Sequence, residues 1–212
     1  MIGGDGTMVM KIIVLAASYF LGAIPWAYVI GKKFCHINIM EHGSGNVGAT
    51  NTFRVLGPKI GSLVFLLDLG KGFVAAMLGG IVGGPTLSVF TGMIAIFAHT
   101  FSVFLHFKGG KGVATGAGVI FWWCPPAISC ALLVWAILAF ATGYISVASI
   151  IACICCCIFL WLFHGTPLQI AICAAVVAYI IYKHRSNIKR LLNGTENRVD
   201  WKALREKRKQ KK

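Results

Sequence analysis

Residues 145–164, ISVASIIACICCCIFLWLFH, form a run of twenty residues without a charged side chain. An α-helix rises about 1.5 Å per residue, so about 20 apolar residues cross the roughly 30 Å hydrocarbon core of a bilayer. The cysteines in this run behave as small hydrophobic residues, and the eight cysteines of the chain do not form the two paired sets of a complete zinc site. The stretch therefore predicts a transmembrane helix.

Similar apolar segments lie on both sides of this run, and glycine or proline marks most of their joints. The chain is 58% hydrophobic and 12% charged, whereas soluble domains carry roughly 25% charged residues. We expect an all-α, polytopic integral membrane helical bundle of about seven transmembrane helices. Residues 112–124 are short for a span, so this segment either extends into its flanks or is re-entrant. The seven segments are 8–31, 57–82, 86–107, 112–124, 126–142, 145–164 and 167–183.

The ends of the chain differ from this membrane region. Residues 1–9 are polar and rich in glycine and are predicted to be a flexible extension, while residues 10–190 form one membrane-embedded domain. The net charge is +14, and residues 191–212 form a basic tail. Nucleic-acid binding is disfavoured because no aromatic or base-reading module accompanies the charge. The tail is interpreted as a cytosolic anchor beside anionic membrane lipid.

The loops alternate in charge along the chain. Those after the first, third and fifth segments carry most of the polar and basic residues, and those after the second, fourth and sixth carry no charge. The positive-inside rule then places the C-terminus in the cytosol and, with seven spans, the N-terminus outside a bacterial cytoplasmic membrane. We expect the chemistry to occur at the inner face.

Two glycine-rich loops on that side are candidate anion sites. Residues 43–51, GSGNVGATN, precede Arg54, and residues 108–115, KGGKGVAT, carry two lysines. Backbone N–H groups of glycine turns and helix N-termini attract phosphate. The Rossmann and P-loop interpretations fail because their flanking elements or spacing are absent. Structural turns stay an alternative for both loops.

Three further features place polar groups near or within the membrane. Asp68 and Lys71 are three residues apart, and intramembrane charges usually mark a functional site. A structural ion pair is the alternative interpretation of Asp68 and Lys71. His99 lies within an apolar segment, and the alternative to a catalytic role for it is a structural hydrogen bond. His184 and Asn187 share a helical face where the last segment leaves the membrane. Because donors and cations outnumber acids, the pattern predicts a phosphate-bearing substrate held without a metal or cofactor.

These motifs together resemble the bacterial acyl-phosphate-dependent glycerol-3-phosphate 1-O-acyltransferases. The resemblance covers about residues 11–200 and rests on SGNVGATN at 44–51 with Arg54, on His99 with FKGGKGVAT at 107–115, and on the segment from His184 to Glu196. It implies transfer of an acyl group from a long-chain acyl phosphate to the sn-1 hydroxyl of glycerol 3-phosphate. The products would be lysophosphatidic acid and phosphate, at the start of phospholipid biosynthesis.

The resemblance also implies residue roles. Catalysis falls to His99, Lys111 and Asn187. Substrate binding falls to the remaining polar and glycine positions of the motifs: Ser44, Gly45, Asn46, Thr50, Asn51, Arg54, Lys71, Lys108, Gly109, Gly110, Gly112, Thr115, Ser146, His184 and Glu196.

A strong protein base is not evident in the sequence. No histidine has an aspartate five positions later, the His-x-x-x-x-Asp pattern of the other glycerophosphate acyltransferases. The phosphate of an acyl phosphate could itself accept the hydroxyl proton, so the protein would mainly position two anions. The alternative function is a membrane transporter of a phosphorylated metabolite, which would need polar residues on both faces.

Overall fold

The computed structural model describes residues 4–199 and 201, and this part of the chain is helical without strands. The 3-10 turns are Ile39–Glu41 and Val103–Leu105. The α-helices are α1 Gly4–Ala23, α2 Trp26–Phe34, α3 Ala49–Thr100, α4 Val113–Trp123, α5 Pro125–Thr142, α6 Ile145–Leu162, α7 Pro167–Lys183 and α8 Arg185–Leu192.

The first predicted segment is a broken helix. Helices α1 and α2 meet at an angle of 48° at Ile24–Pro25, because proline lacks the N–H that would continue the helix. The freed carbonyl groups find side-chain donors: Ser102 Oγ donates to Ala23 O (2.5 Å) and Lys71 Nζ donates to Ile24 O (2.7 Å). The break is thereby tied to the middle of the protein.

Helix α1 begins earlier than predicted. It starts at Gly4, inside the stretch 1–9 that we expected to be a flexible extension. Residues 1–3 lie outside the described residues, as do residue 200 and residues 202–212 of the basic tail.

Helix α3 contains two predicted segments. Its backbone leaves helical geometry at Gly57 (φ 82°), and again at Gly83 and Gly84 (φ 72°), where the left-handed conformation favours glycine. Ser88 Oγ donates to Ala76 O (2.7 Å), and His99 Nδ1 lies 3.6 Å from Asp68 Oδ1. Each of these pairs joins a residue before the Gly83–Gly84 joint to one at a similar distance after it. Residues 58–82 and 85–100 therefore form an antiparallel helical hairpin.

The short helix α4 packs tightly against this hairpin. A Cβ atom at Gly72 would collide with the carbonyl oxygen of Thr115, and one at Gly118 would collide with that of Leu69. Small residues at such crossings let membrane helices approach closely. The hairpin and α4 thus form the central layer that supports the polar loops.

Length and hydropathy identify three spanning helices among the described residues, or up to five if each bent pair is one span. This count treats α3 as one helix although it doubles back, and it leaves out α4, which has 11 residues. The exact number of seven spans stays a prediction. Large apolar side chains point outward all along the bundle, among them Leu133 and Trp161, as expected for lipid-facing surfaces.

Candidate active site

Three polar segments of the predicted cytosolic side meet around one open cavity of about 380 Å³, which we call the basic cavity. They are the loop before α3, the loop before α4, and the junction of α7 with α8. The residues that line it are Met40, Ser44, Gly45, Asn46, Val47, Lys108, Gly109, Lys111, Lys183, Arg185, Ser186, Asn187 and Arg190.

The loop before α3 is shaped by one buried amide. Asn51 Nδ2 donates to Ile39 O (3.2 Å) and His42 O (3.0 Å), and Asn51 Oδ1 accepts from the backbone N–H of Ser44 (2.9 Å). Gly45 takes a left-handed conformation with φ 67°. Asn51 is absent from the cavity lining and holds the backbone of Ser44 at the rim, while its predicted binding role stays a prediction.

The loop before α4 lies directly over His99. The backbone N–H of Gly109 donates to Thr100 O (3.2 Å), and that of Gly110 donates to His99 O (3.1 Å). A Cβ atom at Gly110 would collide with His99 Nε2. The imidazole thus supports the loop from below, between Gly110 and Asp68, and it is absent from the cavity lining. This geometry favours a positioning role over the predicted catalytic one.

A chain of side-chain contacts joins the loop before α4 to α8. Lys111 Nζ donates to Asn187 Oδ1, and Asn187 Nδ2 donates to Glu196 Oε1 (2.7 Å). The same carboxylate accepts from Ser146 Oγ (2.8 Å) and from Arg190 Nε (2.7 Å). Ser146 and Glu196 therefore act behind the lining, where they fix Asn187 and, through it, Lys111.

The charges of this network set its titration. The pKa of Lys111 is lowered to about 8, chiefly by burial and also by the charges of Arg190, Arg54 and Lys183, while Glu196 opposes the shift. Burial would raise the pKa of Glu196, but hydrogen bonds from Asn187, Ser146 and Arg190 bring it below its ordinary value. At neutral pH the network holds an ammonium group poised close to deprotonation beside an ionised carboxylate.

Positive charge dominates the wall of the basic cavity. Among the described residues, no carboxylate lines it. Five cationic side chains do: Lys108, Lys111, Lys183, Arg185 and Arg190. Arg54 lies outside the lining, although its charge acts on Lys111. Such a cavity attracts anions and suits phosphate groups.

Several other predicted residues lie away from the cavity. Lys71 is buried between Asp68 (2.8 Å) and Ile24 O, so it does not extend to a cavity ligand, and the structural ion pair is the better interpretation. Thr115 is fully buried at the α3–α4 crossing, and Thr50 is exposed on the first turn of α3. His184 is buried with Nδ1 against Ile180 O (2.8 Å). Gly112 starts α4 in a left-handed conformation.

Four polar lining residues were not predicted as site residues: Lys183, Arg185, Ser186 and Arg190. They belong to a basic run at a helix end, which is equally typical of side chains that extend to the membrane surface. In the sequence, their proximity to His184 and Asn187 is the feature that could have identified them as site residues.

A second, narrow apolar cavity of about 70 Å³ lies deeper in the bundle, among α4 to α7 and the second half of α3. Its lining includes Met93, Ile96, Val113, Trp123, Trp135, Cys156, Cys173 and Ile180. Val113 follows Lys111 by two residues and Ile180 precedes Lys183 by three. The linings of the apolar and basic cavities are therefore neighbours along the chain. Together they suit an amphiphile with an anionic head.

Comparison with known proteins identifies the family. The family model described as glycerol-3-phosphate acyltransferase matches residues 12–194. The chain belongs to the glycerol-3-phosphate acyltransferase family. The enzyme of that name from Fusobacterium nucleatum is 41% identical over 187 residues, which cover 87% of this chain and 95% of the relative. The Streptococcus pneumoniae enzyme is 42% identical over 206 residues, covering 91% and 94%.

Solved structures agree with this assignment. The crystal structure of PlsY (YgiH), an integral membrane glycerol 3-phosphate acyltransferase, in its glycerol 3-phosphate form matches with a TM-score of 0.86 and 40% identity, over 90% of this chain and 96% of that chain. Its lysophosphatidic acid form matches with a TM-score of 0.84. The predicted all-α, polytopic membrane architecture of this family member is thereby confirmed.

Proposed function

We propose that this protein transfers an acyl group from a long-chain acyl phosphate to the sn-1 hydroxyl of glycerol 3-phosphate. The observation that carries the proposal is the juxtaposition of the basic cavity with the apolar cavity. Two phosphorylated molecules find cationic and amide donors in the first, and an acyl chain finds an apolar lining in the second. The relatives' names and the glycerol 3-phosphate form of the solved neighbour support the acceptor.

The reaction needs positioned charge more than a protein base. The acceptor hydroxyl attacks the acyl carbon, the bond from that carbon to the bridging oxygen breaks, and inorganic phosphate leaves with the electron pair. A phosphate oxygen of the donor takes the hydroxyl proton. Lys111 and Arg190 neutralise the phosphate groups, Ser44 and Asn46 add neutral donors, and Asn187 keeps Lys111 directed at the cavity. Preorganised donors of this kind stabilise developing charge.

Direct assay tests the proposal. Purified protein is mixed in lipid with palmitoyl phosphate and glycerol 3-phosphate, in a chelator, and lysophosphatidic acid and phosphate are measured. We expect one lysophosphatidic acid per phosphate released, and palmitoyl-CoA should give no product. Absence of product from folded protein, or a need for the CoA ester, would refute the proposed donor. Because the acyl group can migrate to the secondary hydroxyl after the reaction, the sn-1 isomer is identified at early time points.

Transport of a phosphorylated metabolite is the competing function. It requires access to the bound anion from both faces, whereas the loops after the second, fourth and sixth predicted segments carry no charge. Proteoliposomes with radiolabelled glycerol 3-phosphate separate the two functions. Label accumulating in the lumen without new lipid would favour transport, and label entering the lipid fraction would favour acylation.

A further inference from the structure

The chain that leaves α8 crosses the predicted cytosolic end of the bundle and docks on α5. We call residues 193–199 together with Trp201 the C-terminal strap. The backbone N–H of Val199 donates to Gly143 O (2.9 Å), Arg198 Nε donates to Thr142 O (2.9 Å), and Trp201 Nε1 donates to Ala139 O (3.0 Å). The Trp201 ring also packs on Phe140, with 4.8 Å between centroids. Arg198 and Trp201 lie beyond residues 12–194, which match the family model.

The end of α5 is suited to receive this strap. The last carbonyl groups of a helix lack intrahelical partners, and a cation is favoured at this negative end of the helix dipole. Gly143 ends α5 with φ 75°, and a Cβ atom there would lie 2.8 Å from Arg198 Cγ and 2.8 Å from Val199 O. A side chain at this position would push the strap away, so the glycine permits the close approach.

Glu196 lies two residues before the first anchor, Arg198. Its carboxylate contacts α6 through Ser146 and α8 through Asn187 and Arg190. Asn187 in turn accepts from Lys111. The strap therefore connects the end of α5 to the ammonium group in the basic cavity through two intervening side chains.

We propose that Arg198 and Trp201 are positioning residues, which anchor the C-terminal strap so that Glu196 keeps Lys111 charged and directed into the basic cavity. Neither residue lines that cavity. The kinetic consequence rests on the proposed function, but the effect on Lys111 does not, so the two can fail separately.

The first test is Trp201→Ala, which removes one of the two side-chain anchors of the strap without changing charge. With the strap loosened, Glu196 no longer opposes the lowered pKa of Lys111, because a nearby opposite charge favours the ionised form. We expect the basic limb of the profile of kcat/KM against pH to move to lower pH by about 1. Trp201→Phe keeps the ring on Phe140 and should restore most of the wild-type profile.

Arg198 provides a test of opposite sign. Removing a cation on its own would raise the pKa of Lys111, and the basic limb would move to higher pH. Loss of positioning moves it to lower pH, so Arg198→Ala should follow Trp201→Ala, and Arg198→Lys should stay close to wild type. Lys189→Ala, which removes an exposed cation from α8, is the matched control and should give no shift to lower pH.

Chemical labelling measures the protonation of Lys111 independently of enzymatic activity. Folded wild-type and variant proteins are treated with trace acetic anhydride across pH 6–10, and mass spectrometry follows acetylation of the Lys111 peptide against an exposed lysine peptide. We expect the titration midpoint of Lys111 to fall in Trp201→Ala. An unchanged midpoint, or lower activity with an unmoved pH profile, would show that the strap only stabilises the fold and would overturn the proposal.

Discussion

Lys111 combines three properties that affect the charge of its side chain. It is largely removed from water, it faces a cavity lined by other cations, and its ammonium group is bonded to a neutral amide and not directly to a carboxylate. The first two properties favour loss of its proton, and the Asn187 amide stabilises the charged form less than a carboxylate would. The carboxylate of Glu196 behind Asn187 offsets part of this tendency. A phosphate group entering the cavity would restore the missing counter-charge.

The titration of Lys111 predicts the pH dependence of the enzyme. Because its pKa is lowered to about 8, the side chain is charged below that pH and becomes neutral as the pH rises through it. Activity should therefore fall from about pH 8 upward, measured as kcat/KM for glycerol 3-phosphate between pH 6 and 9.5. Lys111→Arg, which stays charged, should lose activity at pH 7 but show no such limb. The same limb in Lys111→Arg would assign it to another group.

Asn187 is the bridge between the lysine and the carboxylate, and its loss should be costly. Asn187→Ala leaves Lys111 without its acceptor and Glu196 without one donor. Misplacement of a charged group by about 1 Å can lower turnover about 100-fold, and we expect a loss of that order in kcat/KM with unchanged folding. Asn193→Ala, an exposed amide at the end of the same helix, is the control. Equal losses in both variants would contradict the bridging role.

At the scale of single residues, the sequence indicated polar groups but not where they point. Ser44, Asn46, Lys108, Lys111 and Asn187 line the basic cavity, and their roles in binding and catalysis stay predictions. Motif membership does not separate a side chain that faces the cavity from one that faces the loop. That distinction depends on the hydrogen bonds of Asn51, the helix crossing at Thr115 and the broken helix bound by Lys71.

The helices hold these loops through close backbone contact. The α3–α4 crossing is the tightest example, because Gly72 and Gly118 each face a carbonyl oxygen of the partner helix. The loop that carries Lys108 and Lys111 enters α4 directly, so the position of α4 decides the position of both lysines. Packing in the membrane and chemistry at its surface are therefore coupled.

Gly72→Val tests this coupling against a close neighbour. A side chain at Gly72 collides with the Thr115 backbone, whereas one at Gly70 would meet no atom within 4 Å. Overpacking typically costs about 1–3 kcal/mol, so we expect Gly72→Val to lower the unfolding temperature in detergent and reduce activity. Gly70→Val should stay near wild type. If both variants unfold alike, the crossing does not depend on glycine.

At the scale of elements, hydropathy and glycine–proline joints located the helices well. The hairpin reversal falls at Gly83–Gly84, the joint between the predicted segments 57–82 and 86–107. Hydropathy did not reveal that α1 begins at Gly4 or that Pro25 breaks the first segment, since an apolar run looks the same whether straight or bent. The break is fixed by contacts with Lys71 and Ser102, which are distant in sequence.

The molecule as a whole places its charge on one side. The loops that meet at the basic cavity are those that we predicted to be cytosolic, and the strap returns to the same side to contact α5. A donor with an acyl chain in the membrane and an acceptor from the cytosol could meet there without either crossing the bilayer. This arrangement explains why a membrane protein would carry such a reaction.

Membrane orientation follows as a prediction. A protease-cleavable tag at the C-terminus should resist external protease in intact spheroplasts and be cut in inverted membrane vesicles, because the basic side faces the cytosol. With seven spans, an N-terminal tag should show the opposite pattern. Tags that are both protected in spheroplasts would indicate an even number of spans, and a C-terminal tag cut from outside would place the basic cavity on the wrong face.

In the proposed mechanism, the glycine loops and cations of the basic cavity gather the phosphate groups of both substrates. An experimental structure of this protein with glycerol 3-phosphate and a non-hydrolysable acyl phosphonate would test this arrangement. We predict that the phosphate and the phosphonate both lie in the basic cavity and that at least one of them is hydrogen-bonded to Lys111. The acyl chain should lie in the apolar cavity. Phosphate groups bound elsewhere, or an acyl chain lying outside the bundle with the apolar cavity empty, would contradict the account.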